Sequence, residues 1–323
     1  MEQPMDLEAL HTADPDEVAA FFAEADAEAL VAAVAATSDD DLLGLIGREE
    51  VRPAAILGIL RRLHEYAVPE QLARLHGTVR IDLERRGKVL ERHALRFTGG
   101  DIEIVDEPHG EVGAGVDVVL RTSILRFVRL VSGERNAGLE YLSGKLDIEG
   151  DADLALAVGG IFRVPGTDAV AVDPTALDPV DVATALKHTP RQHLEKVMSS
   201  GFRPVVLGEI FRRLPDFVDA ERARGVELAV GFRLLGNPSG EVERYVVRIS
   251  GGAATVTVLE EGGDEQEAED RDATVTCHAH DYLRLATGHL NPLAGVVKGQ
   301  LKVKGDRAKA LQLSSILDIP QPR

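Results

Sequence analysis

The chain has 323 residues, 44% hydrophobic and 4% aromatic with no tryptophan, and a formal net charge of −18 with a pI near 5.0. That length predicts about two domains, each able to bury a core built mainly of Leu, Val, Ile and Ala. The acidity argues against nucleic acid, whose binders carry a basic footprint, and the single Cys277 precludes an intrachain disulfide and points to a reducing cytoplasm.

Met1–Asp16 is acidic and lacks the basic-then-apolar pattern of a signal peptide. No apolar run approaches the roughly 20 residues that span a bilayer. Met1–Ala13 carries no element signal and is expected to fray. Asp14-Pro15-Asp16-Glu17 then predicts a helix start, with Asp as cap, Pro at the first position and Glu at the third. Val18, Phe21, Phe22 and Ala25 follow at helical spacing. Ser38–Asp41 opens a second helix over Leu42, Leu43 and Ile46, and Pro53 a third over Ile56, Ile59, Leu60 and Leu63. Thr78–Leu83 alternates as a strand does, Val89–Phe97 follows, and Gly99-Gly100 turns the chain into Asp101–Val105. A fourth strand at Asp117–Leu120 leads into a short helix, Ile124–Leu130.

The pattern then repeats. Asp272–Leu317 lies over Asp117–Phe162 without a gap, matching at Arg284/Arg129, Gly288/Gly133, Asn291/Asn136, Gly299/Gly144, Gly305/Gly150 and Asp306/Asp151. The preface recurs too. Asp178-Pro179 resembles Asp14-Pro15, Thr189-Pro190-Arg191-Gln192 reads as a capping box, and Phe202-Arg203-Pro204 through Leu214 repeats Val51-Arg52-Pro53 through Leu63. Val164–Leu177, with Pro165-Gly166 and Asp173-Pro174, reads as a linker, and the acidic Glu260–Asp272 as a solvated loop. The expected organisation is a helical segment at 1–50, a domain at 51–163, a linker and helical segment at 164–201, and a second domain at 202–323. Each domain is predicted to be α+β, a mainly antiparallel sheet packed with helices.

The run Asp272-Ala-Thr-Val-Thr, Tyr282–Gly288, Asn291-Pro292-Leu293, Gly299-Gln-Leu-Lys-Val-Lys-Gly305-Asp306 and Ala310-Leu311 resembles the C-terminal half of the sterol carrier protein type 2 family. The first copy keeps Gly133, Asn136, Gly144, Gly150 and Asp151 but has Ala137 in place of Pro292. The resemblance implies two tandem domains, each with a five-stranded sheet enclosing an apolar tunnel, and non-catalytic binding or transfer of a sterol, fatty acyl chain, isoprenoid or quinone. It makes the second copy, which keeps more of the pattern, the better binding candidate. Leu293, Val296, Val297, Leu301, Val303, Leu311 and Leu313 would line that tunnel. Leu139, Leu142, Leu146, Ile148, Leu154 and Leu156 would line the other. A 14–16-carbon chain buried in such a tunnel contributes on the order of 10 kcal/mol before ordering losses. The alternative is a scaffold that organises a lipid-pathway complex through its helical prefaces and carries no ligand.

No cofactor is implied, and no Gly-x-Ser-x-Gly elbow, P-loop or dinucleotide fingerprint is present. Cys277-His278-Ala279-His280-Asp281 has His spacing that a metal would use on a strand, but no third ligand is signalled and the first copy has Thr122-Ser123-Ile124-Leu125 there. A polar strand-to-helix junction, with Cys277 as a small buried thiol, is the expectation. Lys298, Lys302, Lys304, Arg307 and Lys309 face only Asp306, whereas the first copy sets Lys145 against Asp147, Glu149, Asp151 and Asp153. Lysines guard edge strands against aggregation. They also make an anionic membrane surface a candidate partner, through Lys298, Lys302 and Lys304.

Overall fold

A computed structural model describes residues 7–105, 111–259 and 271–323. Up to Asp270, the expected acidic loop lies outside them. The chain divides into two units, Met1–Asp173 and Pro174–Arg323.

The first unit opens with helices α1 (Pro15–Glu24), α2 (Ala27–Ala36), α3 (Asp39–Gly47) and α4 (Arg52–Arg62). The Asp14/Glu17 capping box forms as its spacing requires, with both reciprocal bonds at 2.9 Å. Of the stretch Met1–Ala13 expected to fray, the first six residues lie outside the described ones, and Leu7–His11 forms a turn of 3-10 helix. Leu7 and Leu10 are each 5% exposed and join Val18, Phe22, Leu30 and Val34 in a helical cluster. Gly58 lets α1 and α4 approach: a Cβ there would stand 2.5 Å from the Phe22 Cβ.

After a one-turn helix, α5 (Pro69–Leu72), the chain forms β1 (His76–Arg85), β2 (Lys88–Thr98), β3 (Ile102–Val105) and β4 (Val118–Ser123). Helices α6 (Ile124–Val131) and α7 (Ala137–Leu142), strand β5 (Leu146–Gly150) and helix α8 (Ala152–Ile161) complete the unit. The sheet order is β3-β2-β1-β4-β5. Every pairing is antiparallel except the central β1/β4, which is parallel. Val79, Ile81 and Leu83 alternate onto one face and pack with Leu95, Phe97 and Val118 under Ile56, Leu60 and Ile124. On the opposite face Asp82, 1% exposed, is ion-paired with Arg80, Arg92 and Arg121.

The second unit repeats this plan. Its helices α9 (Pro179–Leu186), α10 (Arg191–Val197) and α11 (Arg203–Arg213) precede β6 (Leu228–Leu235), β7 (Glu243–Ser250), β8 (Ala253–Leu259) and β9 (Ala273–His278). Helices α12 (Ala279–Ala286) and α13 (Pro292–Val297), strand β10 (Lys302–Gly305) and helix α14 (Arg307–Ile316) follow. The order β10-β9-β6-β7-β8 is the same, with β6/β9 parallel. Both units are therefore α+β with a mainly antiparallel five-stranded sheet.

Two local expectations are corrected. Asp178 caps α9, and its counterpart is Asp26 at α2 rather than Asp14 at α1. The arginines fix that register: Arg62 donates to the Ala25 carbonyl, one residue before Asp26, and Arg213 to the Leu177 carbonyl, one residue before Asp178. Helix α1 is thus an addition to the first unit, and Glu209, bound to Arg212 and Arg213, stands where Gly58 admits it. Second, Thr189 makes no capping box. Pro190 takes the cap position, and the Thr189 hydroxyl donates back to the Ala185 carbonyl at 3.1 Å. The expected linker, Val164–Leu177, contains the boundary between the two units and is tied down on both sides of it. Its first part folds back on α8, with the Val172 amide on the Gly159 carbonyl at 3.1 Å, while the Thr175 and Leu177 carbonyls accept from Arg213 in the second unit.

Candidate functional site

In the first unit the end of α4, the turn after it and α5 stand beside β3, an edge strand only Ile102–Val105 long. A cleft of about 900 Å³ lies between them, within the range of small-molecule sites. Its apolar lining comes from Leu57, Leu60, Ala67, Leu72, Ile102 and Ile104, and Arg61, His64 and Asp101 supply polar groups. Burial sorts the two sets. Leu60 is 2%, Leu72 6% and Ala67 9% exposed, whereas Arg61, His64 and Asp101 are exposed. Ile102 and Ile104 share one face of β3 by alternation, and Glu103 between them pairs outward with Arg96 at 3.2 Å. The result is a greasy floor with an ionic rim, a shape suited to an amphiphile.

None of the residues expected to line tunnels lines this cleft. In the first unit they lie on α7, β5 and α8, toward the opposite edge of the sheet. Leu142, Leu146 and Leu154 are buried and Leu139, Ile148 and Leu156 half-buried. In the second unit Leu301 and Leu313 are buried, at 4% and 3%, and Val296, Val303 and Leu311 half-buried. Leu293 and Val297 are corrected outright: they are 58% and 87% exposed. Helix α13 turns Gly295 inward, where a Cβ would stand 2.8 Å from Leu301, and so leaves the i,i+4 pair outside. Lys298, Lys302 and Lys304 are exposed.

The cleft also sits in the copy that keeps less of the family pattern. Four first-unit positions, Leu60, Ile81, His93 and Phe127, correspond to Phe211, Phe232, Tyr245 and Tyr282. Phe211 stacks on Tyr245 at 3.7 Å and on Tyr282 at 4.9 Å, and Phe232 meets Tyr282 at 5.3 Å. Four aromatic rings fill that interior where the first unit has only Phe127 at the corresponding places. The sequence carried little warning of the cleft. Leu57, Leu60, Arg61 and His64 share a helical face that passes from apolar to charged, but nothing local places β3 beside it.

The Cys277–Asp281 junction ties its side chains to one another and to α10. β9 ends at His278 and α12 begins at Ala279, yet the two imidazoles of His278 and His280 still meet, stacked with ring centroids 5.4 Å apart. His280 Nε2 lies 2.9 Å from Arg191, and Asp281, 1% exposed, accepts from Gln300 at 2.9 Å. Burial lowers the His280 pKa against the opposing pull of Asp281. Among the described residues no group of three or more His, Cys, Asp or Glu is placed to hold a metal ion. Burial, helped by Asp281, pushes the Cys277 thiol up to about 12. At neutral pH iodoacetamide should label it roughly 1,000-fold more slowly in the folded protein than in urea, because only thiolate reacts. Labelling rates followed by mass spectrometry check this, and equal rates in the two states contradict it.

The model of the SCP-2 sterol transfer family matches residues 58–163 and 209–318. A curated relative, hydroxysteroid dehydrogenase-like protein 2 of Xenopus tropicalis, is 26% identical over 111 residues, 34% of this chain; the match spans about a quarter (24%) of that relative. Among solved structures, palmitated SCP2L2 from Aedes aegypti aligns at 19% identity and a TM-score of 0.28, over 37% of this chain and 97% of that one. The inverting sec-alkylsulfatase Pisa1 from Pseudomonas sp. aligns at 18% and 0.30, over 43% and 20%. No helix among the described residues is long and apolar enough to cross a membrane.

Proposed function

Because the chain belongs to the SCP-2 sterol transfer family, with a copy of its domain in each unit, we propose that it binds a lipid in the cleft of the first unit and carries it without chemical change. The observation that carries this reading is the apolar floor of Leu57, Leu60, Leu72, Ile102 and Ile104 beneath Arg61 and His64. A hydrocarbon chain gains about 0.8 kcal/mol per buried CH₂ on such a floor. The Arg61 guanidinium suits an anionic head, which favours a fatty acyl chain over an uncharged sterol, isoprenoid or quinone. One free cysteine in an acidic chain fits a reducing, cytoplasmic setting.

Native mass spectrometry of freshly purified protein, with extraction of bound lipid, identifies the cargo. Displacement of a fluorescent fatty acid then locates it. Leu57→Glu and Ile104→Glu, which put a charge on the floor at half-buried positions, should each weaken binding at least about tenfold. Arg61→Gln should weaken a fatty acid but not its methyl ester. Binding unaffected by all three changes refutes this assignment.

A further inference from the structure

We propose that the α13–β10 edge of the second unit docks on an anionic lipid bilayer, with Leu293 and Val297 entering the interface and Lys298, Lys302 and Lys304 at the lipid phosphates. This goes beyond the carrier reading and does not depend on the cleft.

The first unit supplies an internal comparison. Helix α7 buries Glu140, Tyr141 and Leu142, and Glu140 is held by Arg126 at 3.1 Å and Arg135 at 3.0 Å. Helix α13, at the equivalent place, buries only Gly295. The positions of Leu293 and Val297 are held in the first copy by Gly138 and by Leu142, which is 7% exposed. Charge reverses together with exposure: Asp147 and Glu149 occupy the places of Lys302 and Lys304. One fold therefore carries two opposite surfaces, so packing demands of the fold do not explain the apolar, basic one.

The chemistry of the patch favours a bilayer over a protein. Protein interfaces concentrate aromatic residues and arginine and are depleted in lysine. Here an exposed aliphatic pair on a short helix is followed at once by Lys298, then by Lys302 and Lys304 on an edge strand. Aliphatic side chains reaching the acyl boundary, with lysines spreading upward to phosphates, form the signature of an interfacial anchor. The lysine stems also lie on the strand where edge protection alone would put them. Edge protection, however, gives no reason to expose Val297 to 87%. On a chain of net charge −18, a local basic face also gives an orientation in which an anionic surface attracts rather than repels.

Co-sedimentation of the full chain with phosphatidylcholine vesicles, with or without phosphatidylserine, tests the proposal. The protein should pellet with the serine-containing vesicles only, and high salt should release it. Neutralising the three lysines (K298Q, K302Q, K304Q together) should weaken partitioning about 100-fold. Leu293→Ser with Val297→Ser should weaken it about tenfold. All these side chains are exposed, so the variants should melt as the parent does. Pelleting that the triple variant retains in full overturns the proposal, as does no pelleting with either vesicle, which leaves the patch to an acidic protein. A gel-filtration dimer that the serine pair converts to monomer overturns it too, since a second copy then covers the pair. Fatty-acid displacement contains no bilayer, so its outcome stands apart from all of these.

Discussion

Replacing Gly305 with alanine destabilises the second unit by about 3 kcal/mol or more, and Gly150→Ala does the same to the first. Both glycines have positive φ, +90° and +102°, where a Cβ is itself unfavourable. At Gly305 that Cβ would stand 2.5 Å from the Asp272 carbonyl oxygen, and at Gly150 it would meet the Asp117 carbonyl closer still. The neighbour is backbone, so no rotamer change relieves the clash. The same aspartates anchor the central strands: the Thr78 amide donates to the Asp117 carboxylate at 2.8 Å and the Ala229 amide to that of Asp272 at 2.7 Å. The next residue, Asp151 or Asp306, donates its amide to the crowded carbonyl at 3.0 or 2.8 Å and caps the closing helix. Moving the glycine therefore disturbs edge strand, central strand and helix together. Thermal unfolding of the full chain should show the altered unit melting roughly 10 °C early. A shift of a degree or less would mean that the turn yields.

Arg203→Met is expected to cost about 3 kcal/mol, and Arg52→Met a similar amount. Arg203 is 2% exposed and donates to the Met198 carbonyl at 2.8 Å, the Leu235 carbonyl at 3.2 Å and both oxygens of Glu243, at 2.7 and 2.6 Å. Arg52 reaches the Ile46 carbonyl and binds Glu91 at 2.7 Å. Methionine keeps the packing volume of the stem but takes the charged donor away from a carboxylate and from carbonyls at helix and strand ends. Glu243→Gln should cost much less, because Glu243 is 24% exposed and an amide oxygen still accepts. Urea unfolding of the full chain compares the three variants. Equal losses from Arg203→Met and Glu243→Gln would mean that the ion pair, rather than the buried carbonyls, dominates.

These sites show how far the residues alone carry the inference. Gly305-Asp306 and Gly150-Asp151 are visible as a repeated dipeptide after an alternating strand, and Arg203-Pro204 and Arg52-Pro53 as a repeated helix start. Their recurrence is enough to show the duplication. The α+β class, the hairpins at Gly99-Gly100 and Gly251-Gly252 and the helices beginning at Ile124 and Ala279 follow from the same local patterns. One equivalence that rests on a dipeptide without its neighbours fails. Asp178-Pro179 resembles Asp14-Pro15, yet what defines its place is the arginine that reaches the preceding carbonyl from α11.

The amino-acid sequence by itself determined the duplicated module, most of its strands and helices (though not α2 or α5), its family and the charge reversal between the copies. Each of these is written in backbone preference and side-chain periodicity, which act over a few residues and repeat when the chain repeats. Tertiary structure decided that the cleft lies beside β3 of the first unit, that aromatic rings stack inside the second, and that Leu293 and Val297 face outward. A cleft exists where surfaces brought from distant segments fail to fill the space between them. That misfit belongs to the pair of surfaces, and neither segment encodes it alone.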